Sequence, residues 1–397
     1  MADPWLTIIG IGEDGLAGLS EASRKALAKA ETVFGGERHL RLAEVGARGK
    51  PWPVPFDATA VLCCRGRPTA VLASGDPFWH GVGGSLAGHL AGDQWIAHPA
   101  PSTFSLAAAR LGWRLEAVTC LGLHAAPFER LVPLLSRGAR IICLVRDADA
   151  AGALAKWLTA RGWGASRLWT LAALGGPRER IREARADSYT LDSTAGPLAV
   201  ALDAEGGTGL PRASGLADNL FIHDGQITKR PLRALALSAL APRPNERLWD
   251  IGAGSGSISV EWALAGGAAT AIDAREDRAA NVRANAAAFG LAHRVSVVTG
   301  RAPQALCGLD KPDAVFIGGG LDAAMFESVW SLMPAGARLV AHSVTLETEA
   351  LLSDLHNRYG GDLMRVEISH AAPLGRRRSW EAVRPVVQWR AVKGEGK

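Results

Sequence analysis

Short apolar runs alternate with longer mixed ones along the whole chain. In the first half, Trp5–Ile11, Ala70–Ser74, Trp95–His98, Arg140–Val145, Leu168–Leu171 and Leu198–Leu202 are apolar and bounded by Gly, Pro or Asp, which is how buried strands read. Between them, Ser20–Ala30, Thr103–Leu111 and Ala150–Ala160 carry Ala, Leu and Arg at helical spacing. Strand–helix alternation of this kind predicts an α/β fold with mainly parallel strands.

The pattern changes over Asp203–Ala217, where glycines cluster and large apolar residues thin out, as they do at a domain boundary. A second series follows. It predicts a helix over Lys229–Leu240, a strand at Arg247–Ile251, a helix over Ser257–Leu264, a strand at Ala269–Asp273 and a helix over Arg278–Phe289. Strands at Val295–Thr299, Ala314–Ile317 and Arg338–His342 come next. Met364–Ser369 and Val386–Val392 read as an antiparallel pair closing that sheet. The expected organisation is a first α/β domain over 1–205, a linker over 206–217 and a Rossmann-like second domain over 218–397. A length of 397 residues is long for one core, and two domains are the expectation at that size.

Charge and cysteines narrow the classes. The net charge is +5 without long Lys/Arg blocks, which suits a small polyanionic substrate as well as nucleic acid. Cys63, Cys64, Cys120, Cys143 and Cys307 form no C-x-x-C pair, so neither a disulfide framework nor a zinc site is expected. No His/Cys/Asp cluster has metal-site spacing. The first residues lack a basic region and the apolar run there is short for a signal peptide. No apolar span reaches membrane length. A cytoplasmic protein is expected, with no metal and no membrane partner.

Chemistry enters at Leu248–Glu261. A buried strand runs into Gly252-Ala253-Gly254-Ser255-Gly256, a helix opens directly after, and Asp273 ends the next strand. Glycines there admit a ligand close to the backbone, and an acidic residue about twenty positions on can accept hydrogen bonds from ribose hydroxyls. Position 257 is Ser, so the pattern is G-x-G-x-G and not the pyrophosphate cradle of a nicotinamide enzyme. It points to S-adenosylmethionine, which has a ribose but no phosphate. After the fourth strand of this series stands Gly318-Gly319-Gly320, where amino-group methyltransferases usually carry Asn or Asp with Pro-Pro-Tyr. An exocyclic amine on a base or protein is therefore disfavoured as the methyl acceptor. The loop is equally readable as an ordinary flexible turn.

The first half carries a different motif set: Ile9-Gly-Ile-Gly-Glu-Asp-Gly15 after the first strand, Ala73-Ser-Gly-Asp-Pro-Phe-Trp-His-Gly-Val-Gly-Gly84 after another, and Pro101-Ser-Thr-Phe-Ser-Leu-Ala-Ala-Ala-Arg-Leu-Gly112. Together these resemble the tetrapyrrole (uroporphyrinogen and precorrin) C-methyltransferases. The common form of the first loop has Gly-Pro-Gly where this chain has Glu13-Asp14-Gly15, a departure that looks like the branch acting on C-5 late in corrin synthesis. The resemblance implies a bilobal α/β domain holding S-adenosylmethionine between its lobes. Gly75, Asp76, Pro77, Ser102 and Thr103 would contact it, with backbone near Leu174 and Ala201. In the second half, Phe221-Ile-His-Asp-Gly-Gln-Ile-Thr-Lys-Arg-Pro-Leu-Arg233 before the glycine loop resembles the decarboxylating precorrin C-15 methyltransferases. Thr228, Gly252–Gly256, Asp273 and Ala302 match cofactor positions of that family. It often has Gly-Asp-Ala where this chain reads Gly300-Arg301-Ala302, which removes an acidic adenine-side contact.

The two resemblances together imply a corrin-pathway enzyme with two S-adenosylmethionine sites. It would methylate two meso carbons of a tetrapyrrole and remove the ring C acetate. Arg230, Arg233, Arg376, Arg377 and Arg378 are candidates for binding substrate carboxylates, because guanidinium groups match carboxylates bidentately. A solvated loop is an equal reading of Arg376–Arg378. His342 and Ser343 are candidate proton donors, with strand-end capping the commoner role; His80 and His124 are similarly placed. Both families are commonly oligomeric, so a homo-oligomer is expected and nucleic acid is not. Three alternatives stay open: a sirohaem-type fusion of a methylase with a nicotinamide dehydrogenase, one half serving as a non-catalytic tetrapyrrole-binding module, and an RNA or protein methyltransferase.

Overall fold

The computed structural model describes residues 4–190 and 198–394. The chain divides into two compact units, one of residues 1–128 and 134–208, the other of 209–397 with the short segment 129–133.

The first unit holds two five-stranded sheets. The first is built from β1 (Leu6–Ile11), β2 (Thr32–Gly35), β3 (Gly49–Pro51), β4 (Thr69–Ser74) and β5 (Trp95–His98), with α1 (Glu21–Lys29), α2 (Glu37–Leu42), α3 (Thr59–Leu62) and α4 (Val82–Ala87) between them. Its order is β3-β2-β4-β1-β5, all parallel. Alternation along β1 explains why it is central. Leu6 and Ile8 face a core with Phe34, Val71 and Leu86, while Ile9 and Ile11 face another with Leu27, Val33 and Leu72. Both faces of a crossover-connected strand are covered, so it reads as a continuous apolar run. After α5 (Thr103–Leu111), the second sheet takes β6 (Thr119–Gly122), β7 (Arg140–Val145), β8 (Arg167–Ala172), β9 (Arg180–Arg185) and β10 (Leu198–Asp203), with α6 (Ala148–Ala160) after β7. Its order is β6-β7-β10-β8-β9.

That second sheet corrects the expectation of mainly parallel strands. Only β6 and β7 are parallel; β10 runs antiparallel to both β7 and β8, and β8 to β9. Burial drives the apolar runs whichever way a strand points, so their pattern carries no direction. The polar, exposed edge strand β9 gave no apolar signal at all.

The second unit is one seven-stranded sheet. Its elements are α7 (Arg230–Leu240), β11 (Arg247–Ile251), α8 (Ser257–Leu264), β12 (Ala268–Asp273), α9 (Glu276–Ala288), β13 (Val295–Thr299), β14 (Ala314–Ile317), α10 (Ala323–Leu332), β15 (Arg338–Ser343), α11 (Leu346–Tyr359), β16 (Asp362–Val366), β17 (Ser369–Leu374), β18 (Arg377–Ala382) and β19 (Val386–Val392). The order is β13-β12-β11-β14-β15-β19-β16, with β19 antiparallel to both neighbours. Period-two alternation again sets the layers. Trp249 and Ile251 pack with Phe326 and Val329 of α10 and Leu352 of α11. Leu248 faces Leu237 of α7 and Trp262 of α8. Helix α7 starts with Pro231 in its first turn, turns Leu232, Ala236, Leu237 and Leu240 inward, and stops at Ala241 in left-handed backbone, followed by Pro242, a combination that ends helices sharply.

The antiparallel closing pair is present as β16 and β19, but β16 ends at Val366 and Ser369 opens a separate hairpin, β17–β18. That hairpin is exposed along its length, so it lacks the one-sided burial that marks strands. The glycine-rich stretch expected as a linker contains the break between units. Its far end is not solvated: Leu216 is buried, and the N–H groups of Gly215 and Leu216 donate to Glu261 at 2.6 and 2.9 Å.

Candidate cofactor sites at the strand ends

In open parallel sheets, ligands bind beyond the carboxyl ends of the strands, where the order reverses direction. In the second unit the chain moves outward from β11 to β13, then returns to add β14 and β15 on the other side. Beyond the ends of these strands lies a cavity of about 560 Å³ lined by Gly252, Asp273, Arg301, Ala302, Gln304 and Gly319, among others. Gly252, Gly254 and Gly256 all have positive φ, at 71°, 58° and 70°. A Cβ on Gly256 would lie 2.7 Å from Val282 Cγ1, so this glycine also lets α9 pack close to the loop. Asp273 is buried and organises the turn. Its Oδ2 accepts from Gly254 N–H at 2.9 Å and its Oδ1 from Arg275 N–H at 3.0 Å. Ser255 Oγ is buried with no hydrogen-bond partner. A carboxylate, Asp273, and the opening glycine of the loop, Gly252, both line the cavity and fit an adenosyl ribose without phosphate, while Ser255 lies outside that lining.

Beneath this loop, Asp250 Oδ2 accepts from the Ser259 hydroxyl at 2.6 Å and the Ser259 N–H at 3.2 Å. Burial pushes the Asp250 carboxyl up to about 6, against the pull of the two Ser259 bonds, with the nearby Asp273 charge adding to the rise.

The remaining candidates separate. Thr228 lies outside the cavity lining, its carbonyl accepting from Arg233. Arg230 is exposed, and Arg376, Arg377 and Arg378 sit at the tip and on the outgoing strand of the β17–β18 hairpin. Arg233 is a correction. Its side chain is 0% exposed and paired with Glu261 at 2.5 Å and Asp218 at 3.1 Å. It also donates to the carbonyls of Thr228 and Leu216. Four of its five N–H donors are thus engaged within the protein, and the helical spacing that turns Leu232 and Leu237 inward carries Arg233 in with them. His342 is buried, its Nε2 meeting Gln388 Oε1 at 2.9 Å and its ring edge-on to Phe316. Burial lowers its proton affinity, against the Gln388 bond. Ser343 donates to the Thr345 carbonyl at 2.9 Å, a turn before α11. Neither residue lines the cavity.

In the first unit, three segments interlock at the ends of β1 and β4. Gly75 N–H donates to Ile11 O and Gly75 O accepts from Ala100 N–H, both at 3.1 Å. A Cβ on Gly10 would sit 1.9 Å from Gly75 O, and one on Gly75 2.8 Å from Pro101 O. Asp76 Oδ1 accepts from Phe78 N–H at 2.8 Å, closing the turn that Pro77 enters. Ser102 caps α5 by accepting from Ser105 N–H at 3.1 Å. Beside these segments is a cavity of about 240 Å³ lined by Ser102 and Thr103 together with His39, Trp52, Ser74 and Trp79. Leu174 and Ala201 belong to the core behind α5, outside that lining. His80 also lines it, and the imidazoles of His80 and His124 flank Gly122.

Sequence reading passed over His39, Ser74, Trp52 and Trp79 in this cavity, and Gln304 and Asp322 in the other. The signal for the first was Gly35-Gly36-Glu37-Arg38-His39, a glycine junction between strand and helix followed by two ring- or guanidinium-bearing side chains. Among the described residues, no group of His, Cys, Asp and Glu side chains could hold a metal ion, and no helix is long and apolar enough to cross a membrane.

Comparison with known proteins gives matches over both units. The profile of the tetrapyrrole (corrin/porphyrin) methylases matches residues 5–189, and that of the precorrin methyltransferase domain matches residues 219–393. A Sinorhizobium sp protein named precorrin-6Y C(5,15)-methyltransferase [decarboxylating] is 46% identical, covering 99% of this chain and 98% of its own. A protein of the same name from Mycobacterium tuberculosis (strain CDC 1551 / Oshkosh) is 41% identical over 98% of this chain and 100% of its own. Among solved structures, the C-terminal domain of precorrin-6Y C5,15-methyltransferase from Rhodobacter capsulatus is 52% identical, covering 46% of this chain and all of its own, with a TM-score of 0.46.

Proposed function

The chain belongs to the family of decarboxylating precorrin-6Y C(5,15)-methyltransferases, and from that premise we propose how it divides the work between its units. It is an S-adenosylmethionine-dependent C-methyltransferase of cobalamin biosynthesis acting on a tetrapyrrole. On our reading, residues 1–205 methylate precorrin-6B at C-5, and residues 218–397 methylate it at C-15 and release the ring C acetate as carbon dioxide, giving precorrin-8. The observation that carries this division is the match of two different family profiles to two separate stretches, each of which contains a cavity at its strand ends.

S-adenosylmethionine supplies one electrophilic methyl at each of two sites. Gly75, Asp76, Pro77, Ser102 and Thr103 would hold it in the first unit, with Leu174 and Ala201 behind. Thr228, Gly252–Gly256, Asp273 and Ala302 would hold it in the second. A meso carbon of a reduced tetrapyrrole is enamine-like and already nucleophilic, so the protein's task is alignment and exclusion of water. Orientation of that kind contributes roughly 7–11 kcal/mol of barrier reduction. After methylation at C-15, the conjugated macrocycle accepts the electron pair left by the departing carboxylate, so the decarboxylation draws on the substrate's own electron sink. Of the candidate arginines, Arg230 and Arg376–Arg378 are exposed, and these would meet substrate carboxylates in the second unit. The reading also takes the enzyme to be a cytoplasmic homo-oligomer with no nucleic-acid partner, on the family resemblance alone.

Mass spectrometry of the product from precorrin-6B, excess S-adenosylmethionine and full-length protein tests it. Two added methyls with loss of one carbon dioxide are expected. One methyl without decarboxylation would refute the role given to the second unit.

A further inference from the structure

Next to the first-unit cavity is a charged assembly that the methyl-transfer reading leaves without a role. Glu13, from the loop after β1, is buried although it carries a carboxylate. It is ion-paired with Arg38 and, at 3.5 Å, with Arg178. A Cβ on Gly176 would lie 2.5 Å from Glu13 Cβ, so the loop after β8 closes over it. The other arm of the Arg38 fork, Nη2, donates to Ser74 Oγ and to His39 Nε2, both at 2.8 Å. Ser74 and His39 line the cavity, and the Arg38 side chain is 28% exposed. Two walls of the same cavity are Trp52 and Trp79, in contact with Phe34 and Phe104 respectively.

The charge in this assembly is unbalanced. Burial lowers the proton affinity of Arg38, and the charges of Arg178 and Arg41 lower it further, while two guanidinium groups, those of Arg38 and Arg178, are paired with the Glu13 carboxylate. Since Arg38 can only donate, His39 Nε2 accepts and the ring proton sits on Nδ1. Burial, with the Arg38 charge beside it, pushes this imidazole down to about 4. With its Nε2 lone pair engaged, His39 is a poor base but a good positioning residue: neutral, it fixes the plane of Arg38. Arg38 Nη2 and Ser74 Oγ both lie 2.8 Å from the single Nε2 lone pair of His39, so where Arg38 takes that lone pair the serine proton is free to turn to a ligand.

We infer that Arg38 and Ser74 form a carboxylate anchor at the rim of the first-unit cavity, oriented by Glu13 and His39, which holds an acetate or propionate arm of the tetrapyrrole while Trp52 and Trp79 offer the ring apolar faces. This rests on the proposed C-5 role of the first unit and names part of its substrate site. A carboxylate could also come from the methionine moiety of the cofactor. Excess positive charge around one buried acid suits a polyanionic macrocycle better, because charge-assisted contacts accumulate over several arms.

The test uses full-length protein carrying Asp273→Ala to disable the second cofactor site, with and without Arg38→Gln or Arg38→Lys. C-5 methylation of precorrin-6B is followed by product mass, and S-adenosylhomocysteine binding by titration calorimetry. A charge-assisted hydrogen bond is worth about 1.5–3 kcal/mol, so Arg38→Gln should raise KM for precorrin-6B roughly 10–150-fold. Its kcat and S-adenosylhomocysteine affinity should stay within about threefold, and Arg38→Lys should restore part of the loss. An unchanged KM would overturn the anchor. A parallel loss of S-adenosylhomocysteine affinity would overturn it in favour of a cofactor contact or a role in folding, and unaltered binding by Arg38→Lys, should Arg38→Gln not fold, would exclude the folding explanation. Failure of the Asp273→Ala parent to methylate C-5 would instead refute the division of labour on which the anchor rests.

Discussion

Asp273 illustrates how much one side chain can organise. It closes the glycine loop through Gly254 and steadies the following turn through Arg275, while facing the second cavity. Asp273→Ala should lower C-15 methylation and decarboxylation together by on the order of 100-fold or more, since two hydrogen bonds to a charged acceptor are lost. C-5 methylation should persist. Loss of all three activities in a folded variant would contradict independent sites. Asp250, one strand inward, makes a prediction about pH. Its carboxyl lies near 6 in the folded chain against an ordinary 3.8, so between those values the native state binds more protons than the unfolded one. Its contribution to stability is therefore full below about pH 4 and lost as pH rises through about 6, on the order of 3 kcal/mol. Urea midpoints followed by hydrogen exchange at β11 should fall across that window, and Asp250→Asn should remove this component of the fall. An identical slope in the variant would assign the pH dependence elsewhere.

At the scale of elements, α7 is held by its apolar stripe and also by what Arg233 gathers. The Arg233–Glu261 pair joins α7 to α8, and Glu261 also accepts from Gly215 and Leu216. Breaking a buried pair by removing one partner typically costs about 3–5 kcal/mol. Arg233→Ala should lower the second unit's unfolding midpoint by that order, with the KM for precorrin-6B unmoved in the protein that stays folded; a selective rise in KM would restore Arg233 to the substrate site. The hairpin β17–β18 makes the opposite prediction. Trp380 is 76% exposed and Arg376–Arg378 make no ion pair among the described residues, so replacing the three with Ala should leave the unfolding midpoint unchanged while raising KM for the C-15 step several-fold. A shifted midpoint with unchanged KM would make them structural. These elements also show what was legible beforehand. Strands such as β4 and β14, buried along their length, appear as apolar runs, and the glycine loop with Asp273 follows from backbone chemistry. The hairpin and β9 expose nearly everything and left no such mark. The Glu13–Arg38–His39 assembly joins the loop after β1 to helix α2, and the residue pattern alone gave no means of pairing them.

For the molecule as a whole, the break between units lies inside the glycine-rich stretch, with Gly207 against Trp163 in the first unit and Leu216 in the core of the second. Fragments 1–208 and 209–397 should each be soluble when made separately, the first competent for C-5 methylation and the second for C-15 methylation with decarboxylation. Aggregation of both would show that the core clusters, although self-contained within each unit, are insufficient alone.

The position of each unit's last strand has a consequence for how the chain is born. Strand β10 lies in the middle of its sheet and β19 between β15 and β16, so in each half the final strand to leave the ribosome is an inner one. The first unit can close while the second is still being translated, a lead of on the order of ten seconds or more at usual elongation rates. A chain stalled before Val386 leaves β15 and β16 with open edges and uncovers the core residues that Val387, Trp389 and Ala391 would pack against, which is the kind of surface that quality-control chaperones and proteases recognise. An interruption ahead of β19 thereby has the effect of removing the middle of a sheet.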